Sequence, residues 1–423
     1  MKDLKTRLNE MKKKYSRKGD DAEKTAEENN RGVSVKEKRK RRTTASAKRR
    51  SGATTQDVTE TVDSSTKVKR TSSADKSQKR SRKKKATKEE GNVSVKEKRK
   101  PKDNHEKPEK DKEEIIPDKN GYVTWLLDKD MPGLKKEFQE LATENVNPSA
   151  TAGLDGDNAS KNRYKTVQCI EESRVKLSDG GYYNANSVDS KFILAQSPLA
   201  STVANFWDLA QTEGVDVIVQ MTPCDDGKKC GTYYKPGESG EFGGIKVATT
   251  KPDAIASDDQ NVQVSVIKAE TPKGEVNAKH IFWSNFPVVG FPEASSAVFH
   301  IWRATRHAKK VLVHCACGSG RSAVVVLGCQ GIDRLYAGQE VALLKLAKEL
   351  RQKRHLAIKC EMHYIYTARI LLFTLMKSNS VEMSQNLLMF IDDYDSYAKK
   401  YANEEKEKRK KAPKYDAGEC SED

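Results

Sequence analysis

The chain has 423 residues and a formal net charge of +17, from 78 Lys and Arg against 61 Asp and Glu. Its length allows two or three domains, but the excess charge lies at one end, because residues 1–120 alone hold 39 basic and 22 acidic residues. We find no apolar stretch typical of a signal peptide or a bilayer span, so we expect an intracellular protein, cytoplasmic or nuclear.

Residues 1–120 are predicted to be disordered. They include one aromatic residue, Tyr15, and almost no apolar periodicity, so they cannot bury enough apolar surface to offset the entropy of ordering the backbone. The octapeptide VSVKEKRK occurs twice, at 33–40 and 93–100. Residues 30–100 could serve nuclear import or contact anionic partners nonspecifically, either nucleic acid or acidic lipid, although such basic tracts are more often only solvated.

Folded sequence is predicted over residues 121–402, followed by a disordered charged tail over 403–423. The spacing of Leu134, Phe138 and Leu141 predicts a helix. Further helices are predicted at Val203–Gln211, Arg321–Tyr336 and Ala368–Met376. Strand-like apolar runs alternate with these helices, and about 260 residues of this pattern favour a single α/β domain with a twisted central sheet.

The most informative segment is VLVHCACGSGRSAVVVL, from Val311 to Leu327. It places Cys315 and Arg321 at the two ends of a C-x5-R loop, behind a β-branched strand and ahead of a helix. Gly318 and Gly320 let the backbone curl, so that successive amides can point inward as an anion nest. Arg321 adds a planar two-pronged donor, and the amides and helix N-terminus would favour the Cys315 thiolate. We therefore predict a phosphate-binding loop with a nucleophilic cysteine.

This loop resembles the signature of the protein-tyrosine phosphatases, HC-S-A-G-x-G-R-[ST]-G. The matching positions are His314, Cys315, Gly318, Gly320, Arg321 and Ser322, and the departures are Ala316, Cys317 and Ala323. Segments that resemble other family motifs, in family order, are Lys161–Tyr164, Tyr182–Asn186, Ala195–Trp207, Val217–Thr222 and Lys229–Tyr234. The chain is identified as a non-receptor member of this family. The resemblance implies one phosphatase domain with a highly twisted mixed sheet flanked by helices.

The resemblance also implies roles for individual residues. Cys315 would be the nucleophile, Arg321 would stabilise transition-state charge, and Ser322 would assist breakdown of the phosphocysteine intermediate. The substrate phosphate would be bound by the loop residues Ala316, Cys317, Gly318, Ser319 and Gly320. Tyr164 would stack on the phosphotyrosine ring, and Lys229 would help to position a mobile loop.

The general-acid position departs from the family pattern. Active members carry a W-P-D loop whose Asp protonates the departing tyrosyl oxygen, whereas the equivalent stretch here, Phe286–Pro292, reads FPVVGFP with Val288 at the acid position. Valine can supply no proton, and a positioned acid contributes about 10²–10⁴-fold to such a step. Glu293 is a poor substitute beyond Pro292. We therefore expect weak dephosphorylation.

A second departure lies in the family's Q-T-x-x-Q-Y loop, which orients the hydrolytic water. The equivalent sequence is KCEMHY, with Lys359 and His363 at the two glutamine positions. Lys359 could pair with bound phosphate, and His363 could hold a water. The alternative, which we favour slightly, is that both are simply polar residues at a mouth that no longer supports turnover.

The cysteine pattern predicts no metal site and no cofactor. Cys315 and Cys317 could form a redox pair or half of a metal site. However, zinc needs about four ligands, and no second C-x-C or histidine cluster completes a set. Cys317 could still trap an oxidised Cys315 as a disulfide.

Two functions fit these observations, and in both the partners are phosphotyrosine-containing proteins. The first is a phosphotyrosine-binding domain with weak phosphatase activity. The alternative is a catalytically inactive pseudophosphatase scaffold that only captures such partners. The retained Cys315 and Arg321 support both, whereas Val288 and Lys359 favour the second. A third interpretation, in which the basic N-terminal segment is functional and the domain is a passive anchor, has the least support.

Overall fold

The structure is a computed structural model that describes Thr6, Glu10 and residues 121–144, 149–224, 229–287 and 289–411. The predicted disorder over the rest of 1–120 therefore lies outside the described residues, as do residues 412–423 of the predicted tail. Val288, at the predicted general-acid position, also lies outside them.

Within the described ranges, nine strands form one mixed sheet. They are β1 Ala185–Ser187, β2 Phe192–Gln196, β3 Val217–Gln220, β4 Ser239–Phe242, β5 Ile245–Thr249, β6 Asp253–Ala256, β7 Asp259–Thr271, β8 Gly274–Trp283 and β9 Val311–Cys315. Their order is β1-β2-β9-β3-β8-β7-β5-β4, with β6 paired to β7 off this path. The central strands β2, β9, β3 and β8 run parallel, and the remaining pairs are antiparallel.

Helices flank this sheet. They are α1 Tyr122–Thr143, α2 Thr151–Leu154, α3 Gly156–Ala159, α4 Val203–Thr212, α5 Ala297–Thr305, α6 Arg321–Tyr336, α7 Leu343–Lys353, α8 Glu361–Lys377 and α9 Gln385–Lys411. The helices predicted from hydrophobic spacing coincide with α1, α4, α6 and part of α8, so those predictions are confirmed. Among the described residues, no helix combines the length and the apolar character needed to cross a bilayer.

The core has two parts, one on each face of the sheet. Side chains alternate between faces along a strand, so Val311, Val313 and Cys315 of β9 join the larger cluster, which includes α1, α5, α6 and α8. Leu312 joins the second cluster, to which α4 contributes. The predicted mixed sheet flanked by helices is confirmed, and Cys315 lies on its α6 face.

The last helix corrects one predicted boundary. α9 continues to Lys411, so the prediction of disorder is wrong for residues 403–411. Its first half buries Leu387, Phe390, Ile391 and Tyr394 at helical spacing. Its second half carries ion pairs between helical neighbours, which are Lys400–Glu404, Glu405–Lys408 and Glu407–Lys410. Such pairs support a helix, which is why a charged composition alone was misleading here.

Candidate active site

The C-x5-R loop joins the central strand β9 to the start of α6. β9 ends at Cys315 and α6 begins at Arg321. The carbonyl of Cys315 accepts the N–H of Ser197 at 2.8 Å, and the N–H of Ala316 donates to Thr222 Oγ1 at 3.1 Å. Ser197 and Thr222 follow the neighbouring parallel strands β2 and β3, so the loop lies at the carboxyl edge of the sheet, where α/β folds commonly bind ligands.

Gly318 allows the loop to approach β2 closely. Its φ is +73°, and a Cβ at this position would lie 2.4 Å from the carbonyl carbon and oxygen of Ala195. An L side chain would meet both backbone strain and a direct clash here. A glycine at position 318 is therefore required on steric grounds.

Buried contacts hold the outer side of the loop. Arg354 donates from Nη2 to the Cys317 carbonyl at 2.8 Å and from Nε to the Gly318 carbonyl at 3.1 Å. The Ile358 N–H donates to the Ser319 carbonyl at 3.0 Å. In a trans peptide the carbonyl and the following N–H point in opposite directions. The three amides that follow these carbonyls therefore face the inside of the loop, which is the geometry of an anion nest.

Cys315 Sγ lies inside this ring of amides. The Gly318 N–H donates to it at 3.2 Å, and Ser322 Oγ lies 3.3 Å away. The side chain is nevertheless fully buried, and this burial, together with the hydrogen-bonded Cys317 thiol, raises the pKa of Cys315 well above its ordinary value. Burial thus opposes the thiolate while the contacts with Gly318 and Ser322 favour it, and the activated thiolate stays a prediction.

His314 belongs to a buried hydrogen-bond chain that sequence reasoning missed. Its Nδ1 lies 3.0 Å from Ser197 Oγ and its Nε2 lies 2.9 Å from Tyr233 OH. Tyr233 OH is also 2.8 Å from His280 Nε2. Burial lowers the pKa of both His280 and His314 to about 3, so both rings are neutral at physiological pH. The segment Lys229–Tyr234, which resembles a family motif, includes Tyr233, but no local pattern indicated a partner in β8.

Lys229 immediately precedes a cysteine that takes part in a disulfide. Cys230 is bonded to Cys224, and the intervening residues 225–228 lie outside the described residues. This bond was not predicted from the sequence. The segment then leads to Tyr233 and so to His314, while the positioning role of Lys229 stays a prediction.

Arg321 is held by Phe286 and Pro287, in the segment predicted to hold the general-acid position. Its Nη2 donates to the Pro287 carbonyl at 2.9 Å, and its Cζ lies 5.0 Å from the centre of the Phe286 ring. The residue is 2% exposed, yet its Nε has no hydrogen-bond partner in the described part of the chain. A buried guanidinium N–H without an acceptor is unusual and calls for an explanation.

The segment Lys161–Tyr164, which resembles the family's phosphotyrosine-recognition loop, is bonded to Gln196 of β2. This residue is the β2 register partner of Cys315. Its Oε1 accepts the N–H of Arg163 at 3.0 Å, and its Nε2 donates to the Lys161 carbonyl at 2.7 Å. Tyr164 is half-buried beside a cavity of about 180 Å³. The loop with Tyr164 is thus tethered next to the strand that carries Cys315.

A strained turn directly precedes Lys359 and His363, the two site residues predicted in this part of the chain. Leu356 and Ile358 adopt left-handed φ values of 56° and 57°, which are unfavourable for such side chains. Arg351 stabilises the turn by donating to the Ala357 and Ile358 carbonyls at 3.0 and 2.7 Å. Backbone strain of this kind persists only where surrounding contacts enforce it.

His363 lies at the first turn of α8. Its Nδ1 is 2.8 Å from Cys360 Sγ, and its ring centre is 5.1 Å from that of Phe291. The predicted water-holding role would therefore have to involve the other nitrogen, Nε2. Ile358, the residue before Lys359, contacts the loop through Ser319, and His363 contacts Phe291 of segment 286–292, while the roles of Lys359 and His363 stay predictions.

The C-terminal helix covers segment 286–292 from outside. The ring of Tyr401 lies 6.2 Å from that of Phe291. The Cβ of Ala402 is 2.9 Å from the place that a Cβ on Gly290 would take. This packing was not predicted from the sequence, because the covering residues lie at the predicted edge of the domain.

A family model described as protein-tyrosine phosphatase matches residues 158–373. The chain belongs to the protein-tyrosine phosphatase family. A similar relative is human tyrosine-protein phosphatase non-receptor type 7, 29% identical over 252 residues, which are 54% of this chain and 68% of that protein. Rat receptor-type tyrosine-protein phosphatase zeta is 29% identical over 261 residues, 55% of this chain. The chain spans only 11% of that receptor's length.

Solved structures agree with the fold of this phosphatase-family domain. The crystal structure of the catalytic domain of human protein tyrosine phosphatase non-receptor type 18 matches with a TM-score of 0.54 and 21% identity. The match covers 61% of this chain and 100% of that one. It supports the assignment of one phosphatase-type domain.

Proposed function

We propose that this domain binds phosphotyrosyl proteins in the loop from Cys315 to Arg321 and dephosphorylates them weakly. The observation that carries the proposal is the direction of the three amides after Cys317, Gly318 and Ser319, whose carbonyls are bonded on the outside. A phosphoryl group would accept hydrogen bonds from these amides and from the buried Nε of Arg321. Tyr164, tethered beside the same strand, would flank the phenyl ring.

Turnover needs a thiolate at Cys315 and a proton donor for the departing tyrosyl oxygen, and both are compromised. In the first step the Cys315 sulfur would form a bond to phosphorus while the bond from phosphorus to the tyrosyl oxygen breaks. Burial that raises the pKa of Cys315 leaves less thiolate for this attack. Val288 cannot then protonate the departing oxygen. Ser322 and His363 would act in the later hydrolysis of the phosphocysteine, and Lys359 would pair with bound phosphate, so none of the three takes the place of the missing general acid.

The alternative is a pseudophosphatase that captures phosphotyrosine proteins without turnover. The same two observations, at Cys315 and Val288, favour it. Both functions require phosphotyrosine binding, and they differ in whether any hydrolysis depends on Cys315.

A paired assay of the full chain tests the proposal, with affinity for a phosphotyrosyl peptide and its hydrolysis measured for wild type, Cys315→Ser and Val288→Asp. We expect all three to bind, Cys315→Ser to lose hydrolysis, and Val288→Asp to exceed wild type by about 10²-fold. Wild-type turnover close to that of Val288→Asp would contradict weak catalysis. Equal background turnover in wild type and Cys315→Ser would select the pseudophosphatase.

A binding control separates the loop from general charge. Arg321→Ala should abolish peptide binding, whereas Arg334→Ala, an exposed change on the same helix, should leave it unchanged. If both variants bind as wild type does, the proposed loop is not the binding site.

We further propose that residues 30–100 contact anionic partners without sequence selectivity, and that this segment acts independently of the domain at 121–402. Its affinity for a DNA duplex should fall steeply with salt. A chain that lacks residues 1–120 should keep its phosphotyrosyl-peptide affinity. A loss of peptide binding in that variant would support the N-terminal segment as the functional part.

A further inference from the structure

A cavity of about 180 Å³ adjoins the segment that carries Tyr164. Residues of the short helices α2 and α3 line it on one side, and residues of the segment 164–169 line it on the other. Tyr164 itself is half-buried in its wall. An apolar cavity of about 150 Å³ is large enough to hold benzene. This cavity therefore has room for one amino-acid side chain as large as leucine or phenylalanine.

The polar side chains Asn162 and Tyr182 in the cavity wall already have hydrogen-bond partners. Asn162 Oδ1 accepts the Tyr182 hydroxyl at 2.6 Å and the side-chain amide of Asn184 at 2.8 Å. Asn162 Nδ2 donates to the Gly153 carbonyl at 2.8 Å. A polar ligand group that bonded to Asn162 would have to break these bonds, whereas an apolar group would leave them in place. The wall therefore favours an apolar occupant.

Leu154 makes the mouth of the cavity apolar. Its side chain lines the cavity, yet the residue is 64% exposed. Among the residues that the structure describes, only two other large apolar residues are exposed, Val266 and Met389. Covering an exposed apolar side chain with another apolar group is favourable, because both lose contact with water. Leu154 thus lies where an apolar side chain of a ligand would cover it.

Tyr164 connects this cavity with the proposed phosphotyrosine site. It lines the cavity, and in the proposed complex its ring contacts the phenyl ring of the ligand. Interacting aromatic rings have centres about 4.5–7 Å apart, so groups on opposite sides of Tyr164 would be about 9–14 Å apart. An extended peptide advances about 3.3 Å per residue, so it covers this distance in about three or four residues.

We propose that this cavity is a specificity subsite, which takes an apolar side chain about three or four positions from the phosphotyrosine of the bound protein. The inference rests on the proposed function, because it requires the phosphotyrosine ring beside Tyr164. The loop from Cys315 to Arg321 would bind every phosphotyrosine alike. The cavity adds a preference for partners with leucine, methionine or phenylalanine at that distance over partners with a small polar residue there.

The test compares phosphotyrosyl peptides that differ at one position. The reference peptide carries serine at the third and fourth positions on both sides of the phosphotyrosine, and four further peptides each carry leucine at one of these positions. Affinities are measured with the full chain as Cys315→Ser, which prevents hydrolysis. We expect one leucine peptide to bind about tenfold more tightly than the reference. This factor corresponds to about 1.4 kcal/mol, which is less than the full burial of a leucine side chain provides.

Equal affinities for all five peptides would overturn the inference and leave the proposed function intact. If no peptide binds, and Arg321→Ala gives the same result, the proposed function fails and this inference fails with it.

Two variants at the mouth show whether the cavity causes the preference. Leu154→Ser removes an apolar contact, and Ala159→Phe introduces a ring at an exposed position that lines the cavity. In each we expect the tenfold preference for the leucine peptide to fall to about threefold or less. A preference that stays tenfold in both variants would show that the leucine binds elsewhere, and would overturn the inference.

The matched control is Met389→Ser. Met389 is also exposed, at 53%, but it lies on α9. This variant should retain the tenfold preference, and a loss equal to that in Leu154→Ser would contradict a role of the cavity. Because the preference is a ratio measured within one protein, partial unfolding of a variant alters both affinities alike and does not imitate the expected result.

Discussion

The loop around Cys315 and the rim that surrounds it are stabilised in different ways. Successive loop carbonyls each have a buried donor, from Arg354 or Ile358. The rim consists of three parts, which are the left-handed turn at 356–358, the segment 286–292 and the helix α9 that covers this segment. Groups suited to holding an anion and groups suited to moving protons thus lie on separate elements. Sequence changes can therefore alter one set and leave the other in place.

The largest expected effect comes from removing the residue that holds the loop. Arg354→Met keeps much of the side-chain volume but leaves the carbonyls of Cys317 and Gly318 and the side-chain oxygens of Asn184 and Asn186 without their donor. Each unpaired buried acceptor costs about 1–3 kcal/mol, and we expect the free energy of unfolding to fall by about 3–5 kcal/mol. Urea denaturation measures this change.

The matched control for that variant is Arg334→Met on the exposed face of α6. It should change the free energy of unfolding by less than about 0.5 kcal/mol. Equal effects of the two substitutions would show that the loop does not depend on Arg354.

A pair of glycines separates backbone strain from close packing at the loop. Gly318 and Gly338 have φ values of +73° and +64°, but a Cβ at Gly338 would meet nothing within 4 Å. We expect Gly338→Ala to cost about 1 kcal/mol through strain alone. Gly318→Ala should cost about 1–3 kcal/mol more, because it also clashes with Ala195. Thermal unfolding of both variants tests this, and similar losses would contradict the close approach to β2.

A smaller, pH-dependent effect is expected at His280. Its pKa of about 3 in the folded protein lies below the ordinary value, so between these two values only the unfolded state takes up the proton. Stability from this group is therefore complete above about pH 6.5 and is lost as the pH falls, by about 2 kcal/mol at pH 5.

The variant His280→Gln can still bond to Tyr233 but does not titrate. Thermal unfolding at pH 7.5 and pH 5 should show that it loses less stability than wild type between the two values. An identical loss in both proteins would show that His280 is not buried in its neutral form.

Local sequence patterns predicted the elements whose signals are local. The spacing of Leu134, Phe138 and Leu141, and the strand before Cys315, have the period of the structure they form. The glycines of the C-x5-R loop indicated its curvature for the same reason. These features depend on neighbours along the chain.

Other features depend on residues far apart in sequence, and these were missed. The burial that raises the pKa of Cys315 requires the complete fold. The hydrogen-bond chain from His314 through Tyr233 to His280 joins β9, a loop and β8. The Cys224–Cys230 bond and the pairing of Cys360 with His363 are local in sequence, but their residue types also suit loops without either contact.

The packing of α9 on Gly290 and Phe291 has a practical consequence for anyone who truncates this chain. The family match ends at residue 373, before α9 begins at Gln385. An expression fragment designed on that match would remove Tyr401 and Ala402 from the rim, together with the buried ring of Tyr394, which lies 5.8 Å from the guanidinium of Arg369. Measurements on such a fragment would describe a site with altered walls, so recombinant versions should extend to at least Lys411.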